Sequence, residues 1–318
     1  MQKVYSKGFN GWSQLAILLS LVGGGMLIGA FAGAIIWAKM TGGNILNIET
    51  DMLNPANYQA LQTVQGVSVL LMFLIPTVAF AFICYRNGWA YLGFKEKLKP
   101  QYLLIVILLI FCSLPLVSLL EQLNRWIPLS QSQRLKFDNM EIKYNAQVMA
   151  MAQVKTWGQY ISALLIIAIL PAVSEELIFR GALQNMLSRW TKSPWLAIFV
   201  TSVLFSAIHM SWYGFLPRFA LGMVLGSIFY YTGNIWLNIL LHFCNNALVV
   251  TMMFITSKRG EAVNMTSGDD FPLWVGLLGA FLVILLIGWL VKSAGTVTYE
   301  EVRVGYNSKN PFEDNENV

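Results

Sequence analysis

Apolar residues gather along this chain into long runs separated by short polar breaks. The runs lie at 13–38, 66–85, 101–120, 158–180, 195–210, 215–232, 235–256 and 272–292. Crossing a hydrocarbon core takes about 20 such residues in a helix. Only the fifth run is short, and it relies on its flanks. Lipid offers no hydrogen bonds, so each run must satisfy its own backbone and is predicted as a helix. The pattern describes an all-α, polytopic integral membrane protein, a bundle of about eight transmembrane helices, with seven and nine as the neighbouring counts. Composition agrees: of 318 residues, 56% are apolar and 12% charged, about half the charge of a soluble domain.

The breaks carry the organisation. Trp12, Trp37, Trp89, Trp157, Trp190, Trp195, Trp236, Trp274 and Trp289 stand near run ends, where an amphipathic ring meets headgroups. Lys3 and Lys7 precede the first run, and "AFAGA" at 30–34 resembles a signal-peptidase site. The run continues to Trp37, so it is read as an uncleaved span. With the N-terminus in the cytoplasm, inner segments hold twelve of the 21 basic residues, counting Arg180, Arg189 and Lys192 together. By the positive-inside rule both termini are cytoplasmic, in the plasma or inner membrane. The net charge of +5 reflects that bias and gives no reason to expect nucleic acid.

Further expectations attach to particular segments. The 121–157 connection is too long for a turn, and its mixture of apolar and charged residues predicts an interfacial helix. The tail from Ser293 is polar and acidic, and is read as disordered. Gly222 and Gly226 form a GxxxG pair suited to close helix packing. "TGNIW" at 232–236 is a tight turn, and Asp270 is a candidate N-cap ahead of Pro272. Cys84, Cys112 and Cys244 read as small apolar residues. No repeat is visible.

Against this background "LPAVSEELIFRGALQ" at 170–184 stands out. A charge at the centre of a spanning helix costs roughly 2.5–3.5 kcal/mol and needs a partner. Glu176 and Arg180 are one turn apart and can pair. Glu175 lies about 100° round the helix and is less easily claimed. The only two histidines both fall in apolar runs. His209 follows Phe205 by one turn. His242 stands one turn from both Asn238 and Asn246. Taken singly, each histidine is more often a hydrogen-bonded core residue, and the ion pair more often a helix lock. Together they supply a carboxylate to activate water and donors for an oxyanion. Glu175, His209 and His242 also form a zinc ligand set, without an H-E-x-x-H helix to present it. Rise per residue raises a question of depth. Glu175 and His209 lie roughly 21–25 Å from Arg189 and Lys192, yet His242 lies only about 10 Å from Gly233. A tilted helix, a recessed turn or a kink at Pro171 would reconcile them.

These residues resemble a known family. "EELIFRG" (175–181), "FSAIH" (205–209) and "HFCNN" (242–246) are similar to the EExxxR, FxxxH and HxxxN motifs of the CPBP (Abi) intramembrane proteases, relatives of the type II CAAX prenyl endopeptidases. The resemblance covers roughly 158–256, and implies a catalytic core there. Residues 1–157 would hold three helices and the interfacial segment, 257–292 the last helix, and 293–318 the tail. It implies an intramembrane cavity in which Glu175 and His209 activate water while His242 and Asn246 stabilise the oxyanion. Glu176, Arg180 and Phe205 would support them. The implied substrate is a peptide or membrane protein, lipid-modified or not, with no cofactor required and zinc left open. A non-catalytic immunity or regulatory scaffold is the alternative, and an ion-coupled transporter stands third.

Overall fold

Every apolar run forms a helix over most of its length. The computed structural model describes residues 2–44, 47–52, 54–94, 98–152, 154–260, 271–295 and 299–303. Strand β1 (Gln2–Ser6) leads into α1 (Gly11–Thr41), α2 (Pro55–Cys84), α3 (Pro100–Arg125) and the polar α4 (Gln131–Met151). There follow α5 (Trp157–Thr191), α6 (Pro194–Ala207), α7 (Phe215–Thr232), α8 (Ile235–Lys258), α9 (Leu273–Ala294) and strand β2 (Tyr299–Arg303). Among the described residues, α1, α2, α3, α5, α8 and α9 are long and apolar enough to cross a membrane, and α6 is a shorter apolar helix. Large apolar side chains such as Leu27, Phe31, Phe281 and Ile284 point outward, as lipid contact requires.

Prolines and glycines shape the bundle. Pro76 and Pro171 lack the N–H that the carbonyls of Met72 and Ile167 would accept in an α-helix. Each is preceded by a widened π turn, at Leu70–Leu74 and Leu164–Ile169. On α1, Gly25, Gly29 and Gly33 are buried at four-residue spacing. A side chain at Gly25 would strike the Leu71 carbonyl, and one at Gly33 would crowd Val64. This stripe seats α1 on α2. Gly222 and Gly226 do the same for α7, facing Ser202 and Ile198 of α6. Gly276 and Gly279 of α9 lie against Leu119 and Pro115 of α3.

The question of depth resolves at the α7–α8 turn. Thr232, Gly233, Asn234 and Ile235 are all buried. The segment Tyr91–Gly93 covers them: Ile235 N–H donates to Gly93 O at 2.9 Å, and Phe229 fills the space a side chain at Gly93 would take. The turn is recessed into the protein, so about 10 Å of helical rise from Ile235 brings His242 to the level of Glu175.

Several expectations change. The tail is not wholly irregular, because Tyr299–Arg303 pairs in parallel with β1, from Gln2↔Tyr299 to Ser6↔Arg303. β1 also lies along the end of α2, with Lys7 N–H donating to Cys84 O and Arg86 N–H to Tyr5 O. Residues 304–318, and Asp270 as an N-cap, lie outside the described residues. Trp37 leaves the interfacial belt: it is 0% exposed. The 121–157 connection does hold a helix, α4, opened by a capping box of Ser130 and Gln133.

The β1–β2 pairing puts both ends of the bundle at one side, as an even number of spans requires. Reporter fusions after Lys99 and after Ser308 should both read cytoplasmic. A signal from the opposite compartment at either site would overturn this topology.

Candidate active site

The site is assembled on α5, where Glu176 and Arg180 share a face one turn apart. Arg180 Nη1 donates to Glu176 Oε1 at 2.8 Å, and both side chains are buried, at 1% and 0% exposure. The turn between them belongs to a third π segment, Leu177–Gln184, this one without a proline. Widened turns of this kind often mark functional sites. Arg180 Nη2 reaches Gly222 O at 3.4 Å, and one turn on Gln184 Nε2 donates to Gly226 O at 2.9 Å. The GxxxG pair therefore packs α7 closely and offers two carbonyls to α5.

Helix α8 completes the clamp on Glu176. Asn238 Nδ2 donates to Leu225 O at 2.7 Å and to Glu176 Oε2 at 3.3 Å. His242, one turn later, sets Nδ1 at 2.7 Å from Glu176 Oε1. A carboxylate accepts, so Nδ1 carries the proton and Nε2 faces away with its lone pair. Glu176 thus binds an arginine, an amide and an imidazole, which take three of a carboxylate's roughly four acceptor positions.

His209 reaches the same recess from the end of α6. That helix closes at Ala207, and Met210 adopts the left-handed region at φ 52°, a conformation that costs a side-chain-bearing residue about 1–2 kcal/mol. Its Nδ1 lies 2.7 Å from Phe205 O. A carbonyl only accepts, so here too Nε2 is left with the lone pair. Phe205 holds the assembly from beneath. Its ring is edge-on to His209 at 5.1 Å and to His242 at 5.6 Å, and the Arg180 guanidinium lies 4.6 Å over it.

Glu175 stands apart from this clamp. Its Oε2 is buried with no hydrogen-bond partner, 3.9 Å from His209 Nε2 and 3.8 Å from His242 Nε2. Both separations exceed a hydrogen bond and suit a bridging water. They also exceed what two ligands of one tetrahedral zinc, each about 2.0–2.2 Å from the metal, keep from each other. Among the described residues no group of three or more His, Cys, Asp or Glu is arranged to hold a metal ion. The side chains as placed do not fit zinc.

Of the residues singled out in the sequence, Glu175, Glu176, Arg180, Phe205, His209 and His242 meet around this recess. Asn246 is one turn beyond His242 and half-buried. Among the described residues its side chain makes one hydrogen bond, with Oδ1 accepting from Asn245 Nδ2 at 3.4 Å, which leaves its own NH₂ uncommitted. Two contributors were not singled out for the site. Asn238 was visible as part of the polar stripe on α8. Gln184 was visible only as a polar residue one turn past Arg180.

Comparison with known proteins fits this location. Residues 157–248 match the family model described as type II CAAX prenyl endopeptidase Rce1-like. An uncharacterized protein of Bacillus subtilis (strain 168), YpbD, is 27% identical over 111 residues, which is 34% of this chain and 51% of that protein. The match thus spans about half of that relative's length. No solved structure matches the chain.

The two adjacent glutamates should behave differently on substitution. Glu176→Gln unpairs a buried arginine and should destabilise the protein by about 3–5 kcal/mol. Glu175→Gln removes no hydrogen bond and should unfold close to wild type. Thermal unfolding of the purified variants in one detergent checks this, and equal loss from both would refute the division.

Proposed function

From the membership of residues 157–248 in the Rce1-like family of type II CAAX prenyl endopeptidases, we infer that this chain is an intramembrane endopeptidase. It hydrolyses a peptide bond with water activated by Glu175 and His209. One observation carries the reading: Glu175 Oε2 is buried and unpartnered, facing two histidine Nε2 atoms at 3.8 and 3.9 Å. Arg180, Asn238 and His242 meanwhile hold its neighbour Glu176. A helix lock would need only the second glutamate.

The chemistry runs as follows. A water bridges Glu175 Oε2 and His209 Nε2, and the carboxylate takes one of its protons as oxygen attacks the scissile carbonyl. Charge gathers on the carbonyl oxygen. The Asn246 NH₂ can donate to it. His242 can donate through Nε2 when it holds a proton on each nitrogen, and the Glu176 carboxylate behind Nδ1 balances that charge. As the C–N bond breaks, Glu175 returns its proton to the departing amine, leaving a new carboxylic acid and a new amine, and the acid then passes the water's second proton to the amine or to solvent. Phe205 and the buried clamp keep water elsewhere from entering. The substrate would be a peptide or membrane protein that reaches this depth from the bilayer.

Glu175→Gln should lower turnover by on the order of 10²–10⁴, the scale of a lost general base. Asn246→Ala should lower turnover by roughly 10²–10³ with substrate binding largely intact, while Asn245→Ala should be tolerated. Cleavage of a quenched-fluorescence peptide panel by purified protein measures both. Unchanged turnover in Asn246→Ala together with a lower unfolding temperature would make that residue a helix bridge and remove it from the catalytic set.

A further inference from the structure

The two histidines of the recess are held in different ways. His242 lies inside α8, where the helical hydrogen bonds fix its backbone. Helix α6 ends at Ala207, and His209 follows in a turn. Its backbone bonds there are His209 N–H to Ser206 O at 3.3 Å and Met210 N–H to Ala207 O at 3.1 Å. Met210 then takes the left-handed region at φ 52°, which a side-chain-bearing residue keeps only when its surroundings impose it. Ser206 Oγ donates to Phe215 O at 2.6 Å and ties the two ends of the loop together. The residues between those ends need a further hold.

Helix α4 supplies it. Asp138 and Glu141 are three residues apart on one face of that helix. Ser211 Oγ donates to Glu141 Oε2 at 2.8 Å, and the Tyr213 hydroxyl donates to Asp138 Oδ1 at 2.6 Å. Carboxylate acceptors make such bonds short and strong. Between them Phe137 stacks on Trp212, with centroids 4.5 Å apart and planes 5° from parallel. Asn124, buried at the end of α3, donates to Trp212 O at 2.6 Å. Ser211, Trp212 and Tyr213 are thus each tied to a residue outside the loop. At its far end α4 is anchored in turn, since Gln62 Nε2 of α2 donates to Met151 O at 2.8 Å.

We propose that α4 is a strap that places His209: Phe137, Asp138 and Glu141 are positioning residues that hold Ser211, Trp212 and Tyr213 and so aim the His209 ring at Glu175. The strap deepens the peptidase reading, on which the role of His209 rests, by adding a polar helix that sets the reactive geometry from outside the apolar bundle. The connection is short. Met210 alone separates His209 from Ser211, and its left-handed backbone is free to relax once Ser211 is released. His209 Nε2 stands 3.9 Å from Glu175 Oε2, and a misplacement of about 1 Å in such a site costs on the order of 10²-fold in rate. His242 does not share this dependence, because Glu176 holds its ring from within the bundle.

The chain holds two histidines, so ¹⁵N-histidine labelling of the full-length protein in nanodiscs gives one set of ring signals for each, assigned with His209→Gln and His242→Gln. The double variant Glu141→Ala with Tyr213→Phe should shift or broaden the His209 signals and leave those of His242 in place. Phe137→Leu removes only the stack and keeps both hydrogen bonds. It should move His209 less, and it reads the strap even if the double variant folds poorly. Glu141→Gln keeps an oxygen to accept from Ser211 and should preserve the wild-type spectrum. In the peptide cleavage assay the double variant should lose roughly 10–10²-fold in kcat with KM within about twofold, while Glu141→Gln stays close to wild type. Unmoved His209 signals in both strap variants would overturn the proposal. So would equal displacement of the two histidines in both, the mark of general loosening, or an unchanged kcat beside a displaced His209. If His209 moves as expected while the unmutated protein cleaves no peptide, the strap stands and the peptidase reading falls.

Discussion

The architecture depends on how one buried carboxylate is neutralised. Glu176 is fully enclosed, and an ion in that position is tolerated only when paired and hydrogen-bonded. Arg180 pairs with it from the same helix, while Asn238 and His242 reach it from α8. Arg180 is itself committed to Gly222 O and to the face of Phe205. Helices α5, α6, α7 and α8 therefore converge on a single charge. None can shift without exposing a polar group to hydrocarbon, which makes the cluster a fixed frame for whatever faces it.

That frame divides the labour between neighbouring glutamates. On a helix, adjacent residues point about 100° apart, so a clamp built round Glu176 turns Glu175 towards a different wall. The same carboxylate that holds His242 by Nδ1 aims its Nε2 at Glu175, and the Phe205 carbonyl does the equivalent for His209. The clamped carboxylate and its unpartnered neighbour are thus linked through an imidazole. A change at Glu176 would disturb the surroundings of Glu175 as well as the fold.

Much of this was legible in the sequence, because helical pitch is local. The apolar runs gave the order of the helices. The four-residue spacing in "EELIFRG" paired Glu176 with Arg180 and left Glu175 aside. The spacing in "HFCNN" placed Asn246 beside His242. What was hidden depends on distant contacts. The recess of the 232–235 turn follows from a hydrogen bond between Ile235 and Gly93, and no local pattern announces it. Strand β2 lies in an acidic segment and is ordered by its pairing with β1. Pro76 and Pro171 were visible, but the widened turns before them were not.

Hydrolysis of a peptide bond within the membrane by water that Glu175 activates is the proposed reaction, and isotope labelling tests it most directly. Membranes containing the wild-type protein or the Glu175→Gln variant would be incubated in H₂¹⁸O and their peptides compared by mass spectrometry. The account predicts new carboxyl termini carrying one ¹⁸O in the wild-type sample and their absence, with intact precursors, in the variant. Identical labelled termini in both samples, or none in the wild type, would contradict it.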